Sequence, residues 1–319
     1  MTYPDWQART DRNMLEARAS LLGQIREFFA ERQVLEVDTP ILSAAAGTDP
    51  NLAPFCIQPQ GKGDAPLFLQ TSPEFAMKRL LASGSGAIYQ LAKSFRHHEA
   101  GSQHNPEFTM LEWYRPDFTL AELMDEVEAL VSAVLALEKT ERISYAELFQ
   151  RHLQLDPFTA TLDTLQQVAG EHIDIVMESS NPDHWLDLLF SHCIQPQLQA
   201  PVFIMNYPVS QAALAKVEKD EHGRLVARRF ELVVAGLELA NGYDELTDAA
   251  EQKRRFDGDL ALRKFEDKPR HPVDLNLLAA LEHTLPECSG VALGVDRLLM
   301  LKTASKDIRE VISFPIDIA

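Results

Sequence analysis

The chain has 319 residues, 45% of them hydrophobic and 24% charged, enough to bury a sizeable core in one or two domains. With 30 Lys and Arg against 48 Asp and Glu the formal net charge is −18, which argues against a stable nucleic-acid partner held by phosphate neutralisation and leaves room only for a local basic pocket. No apolar run predicts a membrane span, Met1 to Arg12 carry no apolar signal core, and the separated Cys56, Cys193 and Cys288 suit a reducing cytoplasm better than a disulfide scaffold.

Asp11 to Arg32 reads as a helix, with Met14, Leu21, Ile25 and Phe28 on one face. Val34 to Val37 reads as a short strand stopped by Pro40. Thr71-Ser72-Pro73-Glu74 predicts a helix start, with Thr71 as cap, proline early and Glu74 three residues after the cap. Ile88 to Arg96 and Glu107 to Tyr114 read as strands joined by a polar loop. Thr119 to Glu138 reads as a helix with a capping box at Thr119 and Glu122, and Ser144 with Glu147 repeats that signal. Further strands are expected at Pro201 to Pro208, Arg228 to Gly242 and Ser289 to Gly294, with helices at Asp248 to Phe265 and from Asp296 onward. This order predicts an α+β fold, a mainly antiparallel sheet with helices packed on it, in one domain over 1–319.

The most informative segment is Arg228 to Gly242. Read as a hairpin turning at Ala235-Gly236, it pairs Val234 with Leu237, Val233 with Glu238 and Leu232 with Leu239. One face is then Leu232, Val234, Leu237 and Leu239; the other is Glu231, Val233, Glu238 and Ala240. The two glutamates become diagonal neighbours with Cβ atoms within about 7–8 Å. Such a pair repels itself unless a cation sits between, and Mg²⁺ holding phosphates would serve; a solvated glutamate pair on an exposed face is the alternative. Asn241, Gly242 and Glu245 add an amide, a point of close backbone approach and a third carboxylate.

Arg96 enters the polar loop from a face of mostly small residues. On the returning strand Phe108, Met110, Glu112 and Tyr114 share a face on which a carboxylate and a phenol could hold an ammonium; an ordinary exposed glutamate is the plainer reading. His97-His98-Glu99 with His104 does not have the i, i+4 spacing of a helical zinc motif, and no thiolate lies nearby. Gly290 to Arg297 reads as strand, glycine, helix, with Arg297 in the first helical turn. A cation is misplaced there unless an anion is its partner.

Together these segments resemble the catalytic core of the class II aminoacyl-tRNA synthetases, most closely the lysyl type. The early helix with Val34-Leu-Glu-Val-Asp-Thr-Pro40 resembles motif 1, Phe95-Arg96 through His104-Asn-Pro-Glu-Phe-Thr-Met-Leu-Glu112 resembles motif 2, and Gly290 to Arg297 resembles motif 3. The likeness runs from about Asp11 to Ile318. Motif 1 begins close to the first residue, so no anticodon-binding domain is expected, and a free-standing lysyl-type core of this length is similar to the elongation factor P–(R)-β-lysine ligases. Those enzymes join an activated amino acid to a lysine side chain of a translation factor.

The resemblance implies a six-stranded antiparallel sheet in a cytoplasmic homodimer that uses ATP and Mg²⁺. It implies that Arg96 holds the α-phosphate and Arg297 the far end of a bent ATP, as the catalytic pair. His97, His98, Glu99, Asn105, Glu238, Leu239 and Gly294 would surround the nucleotide, with Glu231 and Glu238 on the metal. Ser72, Pro73, Glu74, Glu112, Tyr114, Asn241, Glu245 and Ala292 would surround (R)-β-lysine. Three positions depart from the lysyl pattern. His98 stands where motif 2 has Glu, leaving Glu99 or a backbone carbonyl for the adenine amino group; Ala292 replaces Gly, and Ser72 replaces Ala. The rival readings are a truncated synthetase charging tRNA and a synthetase-like subunit without catalysis.

Overall fold

The computed structural model describes residues 6–58, 61, 65–137, 139–174 and 177–319. The first five residues of the N-terminal stretch read for export, and Glu138 at the expected end of a helix, lie outside these. Helix α1 (Arg12–Glu31) opens at Asp11, whose carboxylate accepts the Met14 amide at 2.9 Å, and buries Leu21, Ile25, Phe28 and Phe29. It leads into β1 (Leu35–Glu36). Three short strands, β2 (Leu42–Ser43), β3 (Cys56–Ile57) and β4 (Leu67–Leu69), form a small separate sheet that the sequence reading did not anticipate. Then come α2 (Glu74–Ala82), β5 (Ile88–Phe95), β6 (Glu107–Pro116), α3 (Leu120–Leu135) and β7 (Glu141–Ser144).

Helix α2 begins differently from expectation. Pro73 is its cap residue and no side chain caps it; the Glu74 amide instead donates to Ser72 Oγ at 3.3 Å. Thr71 forms no capping box: the helix begins at Glu74, so Glu74 is its first residue rather than its third, and its carboxylate pairs with Lys78 one turn on. The boxes at Thr119–Glu122 and Ser144–Glu147 form as read.

The chain continues through α4 (Tyr145–Leu153), α5 (Leu162–His172), α6 (Pro182–Leu189), β8 (Val202–Tyr207), β9 (Val217–Lys219), β10 (Leu225–Val234) and β11 (Leu237–Asp244). It ends with α7 (Ala249–Phe265), α8 (Leu275–Thr284), β12 (Cys288–Gly294) and α9 (Val295–Thr303). The main sheet has nine strands rather than six, in the order β1-β5-β6-β12-β11-β10-β8-β7 with β9 on β10. Every pair from β5 across to β8 is antiparallel, so the expected six-stranded core is present inside a larger sheet. The additions are β1 and β7, both paired in parallel, and the three-residue β9. Strands this short carry no readable alternation.

One face of the sheet packs on α1, α3 and α9 through Phe29, Trp113, Val127, Phe230, Leu293 and Leu298. A second core gathers α4, α5 and α6 around β8, and a third joins α2, α7 and α8 beside Ile88 and Tyr114. The opposite face of the central strands is left to line a cavity.

The hairpin turns at Ala235 and Gly236, both with positive φ, as a two-residue connection requires. Val234 pairs with Leu237 and Val233 with Glu238 as read, but Leu232 then pairs with Ala240, not Leu239. Leu239 is the extra residue of a β-bulge. Beyond it the alternation of β11 is reversed: Ala240 joins Leu232 on the core side, and Asn241, opposite Glu231, takes the place expected for Ala240.

Gly242 follows this bulge at a point of close approach. A Cβ there would lie 2.4 Å from the Phe230 ring and 3.2 Å from the Gly290 carbonyl oxygen. Gly242→Ala is therefore expected to cost about 1–3 kcal/mol by overpacking. A denaturant titration would show a lower midpoint at unchanged slope; an unaltered midpoint would contradict the assignment.

Candidate active site

The cavity has a volume of about 1430 Å³ and lies over the central strands, with walls from α2, α6, α7 and the loops. Its floor follows from strand register. One cross-strand row reads Gln90, Glu112, Ala292, Asn241 and Glu231; the next reads Ile88, Tyr114, Gly290, Tyr243 and Arg229. Because side chains alternate, Phe108, Met110, Glu112 and Tyr114 all rise from β6 into the cavity. From Phe108 to Tyr114 the floor is about 20 Å long. Its two ends carry opposite chemistry.

At the Tyr114 end stand Glu74, Glu112 and Glu245. Tyr114 Oη donates to Glu112 Oε1 at 2.6 Å, while Glu112 Oε2 and Asn241 Oδ1 are buried without a hydrogen-bond partner among the described residues. Burial first, and then the charge of Glu74, pushes the Glu112 carboxyl well above its usual range. Burial also pushes Glu245 up, against the pull of Lys78. Gly290 makes room for this packing, because a Cβ there would lie 2.4 Å from both Glu245 Oε1 and the Tyr114 ring. Ser72, Pro73 and Ala292 complete the wall. Three carboxylates and a phenol on one wall can receive ammonium groups.

At the other end Arg96 and Arg297 face the cavity. Arg96 lies over the Phe108 ring at 5.1 Å, 3.8 Å from Glu99, and its buried Nε has no partner among the described residues. Arg297 donates to the Glu238 carbonyl oxygen at 2.7 Å and lies 2.7 Å from His104 Nε2. Burial and then Arg297 lower the His104 pKa, so that ring stays neutral and can accept. Asn105 lines the cavity with its side chain already bonded to Glu107 O and the Ile316 amide. Leu239 and Gly294 also line it. An orphan guanidinium donor beside a second arginine suits a phosphate chain.

Glu231 and Glu238 do face the same side, with Val233 between them in the register. Burial pushes Glu231 up, and Arg229, 2.5 Å away, counters it. Among the described residues no group of three or more metal-binding side chains gathers. The pair therefore suits a hard divalent ion that draws its remaining ligands from phosphate and water.

His97 and His98 are the predicted nucleotide residues that do not line the cavity. The His97 amide donates to Ala53 O, its ring packs edge-on against Phe55, and His98 adopts a positive φ of 70°. That kink leaves Glu99 on the cavity wall instead. The sequence reading missed Lys78, Arg229 and Asp187. Lys78 could have been found as the i+4 partner of Glu74, and Arg229 as the face-mate of Glu231 two residues on. Asp187, pushed up to about 6 by burial and Asp183, comes from α6, which was not predicted.

A family model described as tRNA synthetases class II (D, K and N) matches residues 1–318. Among curated relatives, the elongation factor P–(R)-β-lysine ligase of Yersinia enterocolitica is 47% identical over 98% of this chain and 97% of its own. The proteins of that name from Edwardsiella ictaluri and Pseudoalteromonas translucida are each 49% identical, over 98% of both chains.

The electrostatics of the carboxylate lobe are open to measurement. At pH 7, with the lobe free of ligand, Glu112 should hold its proton, because burial first and then the charge of Glu74 oppose its ionisation. Infrared difference spectra of the parent protein minus Glu112→Gln should contain the carbonyl band of a protonated carboxyl. A difference spectrum showing only carboxylate bands at that pH would refute it.

Proposed function

Because the chain belongs to the class II tRNA synthetases (D, K and N), we propose that it is an AMP-forming ligase that activates (R)-β-lysine with ATP and joins it to a lysine side chain of elongation factor P. The observation that carries the reading is the two-ended cavity: a carboxylate lobe and an arginine end on one continuous floor. An amino acid with two ammonium groups and a carboxylate suits the first, and a nucleotide triphosphate suits the second. The names of relatives matching almost end to end support the choice of amino acid and acceptor.

In the first step a carboxylate oxygen of the amino acid attacks the α-phosphorus of ATP, the bond to the bridging oxygen breaks, and pyrophosphate leaves. Negative charge grows on the α-phosphate oxygens, where Arg96 stabilises it. Arg297 holds the far phosphates, and Glu99 takes the adenine amino group in place of His98. Glu231 and Glu238 would hold Mg²⁺, which supplies charge neutralisation on the phosphates. Glu74, Glu112, Tyr114, Asn241 and Glu245 orient the amino acid, with Ser72, Pro73 and Ala292 shaping its pocket, so much of the barrier is lowered by positioning. In the second step the neutral acceptor amine attacks the adenylate carbonyl, AMP leaves, and the amine gives up a proton.

We read 1–319 as one catalytic unit, working in the cytoplasm where the translation factor resides. No described helix is long and apolar enough to cross a membrane. Exposed Leu35 on β1, with exposed Ile41 and Leu42 shortly after it in the chain, supports a homodimer through that edge.

Pyrophosphate exchange over a panel of amino acids should favour (R)-β-lysine over α-lysine, and Ala292→Gly should move selectivity toward α-lysine by about 10–200-fold, the range set by one methyl group. Equal or better exchange of the parent with α-lysine would overturn the choice of amino acid. Intact-mass analysis of elongation factor P after incubation should show one added lysyl mass. An unchanged mass with label on tRNA would favour a tRNA synthetase instead.

Arg96→Ala should lower the exchange rate by about 10²–10³-fold, as loss of a charge-stabilising donor does. A loss under tenfold would remove Arg96 from the transition state.

A further inference from the structure

Lys78 is among the most buried charged side chains of the protein, at 1% exposure, yet it is not part of the cavity wall. Its Nζ lies 2.7 Å from Glu74 Oε1 and 2.6 Å from Glu245 Oε2. Both carboxylates do line the cavity. They come from distant parts of the chain, Glu74 from the first turn of α2 and Glu245 from the end of β11. The interior ammonium is the link between them.

We propose that Lys78 is a positioning residue for the amino-acid substrate: an interior cation that clamps Glu74 and Glu245 from behind and fixes where both carboxylates stand toward the substrate ammonium groups. This rests on the reading that the carboxylate lobe receives the amino acid.

The electrostatic surroundings support the role. Glu112 and Tyr114 face the cluster from β6, Tyr243 and Asp244 from β11, and Cys288 from β12. Asp244 has its own partner, Lys216, at 2.8 Å. The remaining neighbours from α2 and α8, such as Met77, Leu81 and Leu277, are apolar. Burial works to lower the Lys78 pKa, but the charges of Glu245 and Glu74 outweigh it and hold the ammonium charged. Burial pushes the Glu245 carboxyl up to about 8 even with the Lys78 ammonium pulling it down, so removing that ammonium raises it further, and a neutral carboxyl is a poor receptor for an ammonium.

The test uses the full chain with Lys78→Met and Lys78→Arg, measuring pyrophosphate exchange against (R)-β-lysine and against ATP from pH 6 to 9, with thermal melts to establish folding. For Lys78→Met the expected result is an amino-acid KM raised about tenfold or more with ATP KM within about twofold, and an acid limb of kcat/KM moved up by about one pH unit or more. The sign follows from the chemistry: the carboxylates must be ionised to bind, and removing a positive neighbour raises their pKa. Lys78→Arg keeps the charge and changes the geometry, so its amino-acid KM should rise while its acid limb stays in place. A folded Lys78→Met with the parent's KM and limb overturns the proposal. So does an equal rise of both KM values in step with lost melting temperature, the mark of a merely structural role. Should Lys78→Met not fold, Lys78→Arg decides: a raised amino-acid KM alone supports the clamp, and an unchanged one overturns it. Exchange by the parent with no amino acid at all would overturn the reading of the lobe, and this proposal with it; an active parent with indifferent variants would overturn this proposal only.

Discussion

The cavity depends on one extra residue in strand β11. Side chains on a strand alternate strictly, so a carboxylate at 238 and an amide at 241 belong to opposite faces of a regular strand. The bulge at Leu239 removes that conflict. It lets Leu237 and Leu239 reach the apolar side, sends Ala240 there as well, and returns Asn241 and Tyr243 to the same side as Glu231 and Glu238. Glu231, Glu238, Asn241 and Glu112 thereby come to share one floor. Glycines at 242 and 290 then allow Phe230, Tyr114 and Glu245 to close against the backbone at distances that no Cβ would permit.

Such a floor gathers more negative charge than a protein interior tolerates alone. Burying an unpaired carboxylate costs several kcal/mol, and a buried ion pair rarely returns more than the desolvation it requires. The compensating cations come from other places in the structure. Lys78 reaches Glu245 from a helix that precedes it by over a hundred and fifty residues in sequence, whereas Arg229 reaches Glu231 along the same strand. Their arrangement is better understood as holding carboxylates in defined positions for a ligand than as a source of stability. At the opposite end Arg297 is held by a backbone carbonyl and a neutral imidazole, with the Glu238 carboxylate 3.6 Å away.

The loop after β5 shows how a change in sequence is absorbed. With His at 98, the loop turns through a left-handed residue, packs His97 on Phe55, and presents Glu99 to the cavity one position later. The same region is anchored from outside by Asn105, which ties the loop end to the C-terminal segment through Ile316, and by Ile308, whose amide donates to Ser102 O. A short segment of loop thus depends on contacts with the last residues of the chain.

Local order was legible in the sequence because its causes are local. Thr119 and Ser144 cap the helices they were read to cap, since a cap needs only residues within one turn. The cavity face of β6 followed from period-two alternation, and the hairpin turn from Ala235-Gly236. Motif order and spacing pointed to the fold and to most of the cavity residues. What the sequence left undecided was set by contacts between distant segments. The bulge at Leu239 arises because β12 and the helical core demand opposite faces from neighbouring residues, and no window around residue 239 contains that demand. Thr71 has no capping role because the helix begins three residues after it, at Glu74, whose carboxylate pairs with Lys78, and Lys78 in turn with Glu245, far along the chain. Strands β7 and β9 are too short to signal themselves and exist because longer neighbours offer them free hydrogen-bonding edges. Sequence pattern records what a residue prefers within a turn or two; which carboxylates share a cation, and which loop residue faces the ligand, is decided only when the sheet brings those segments together.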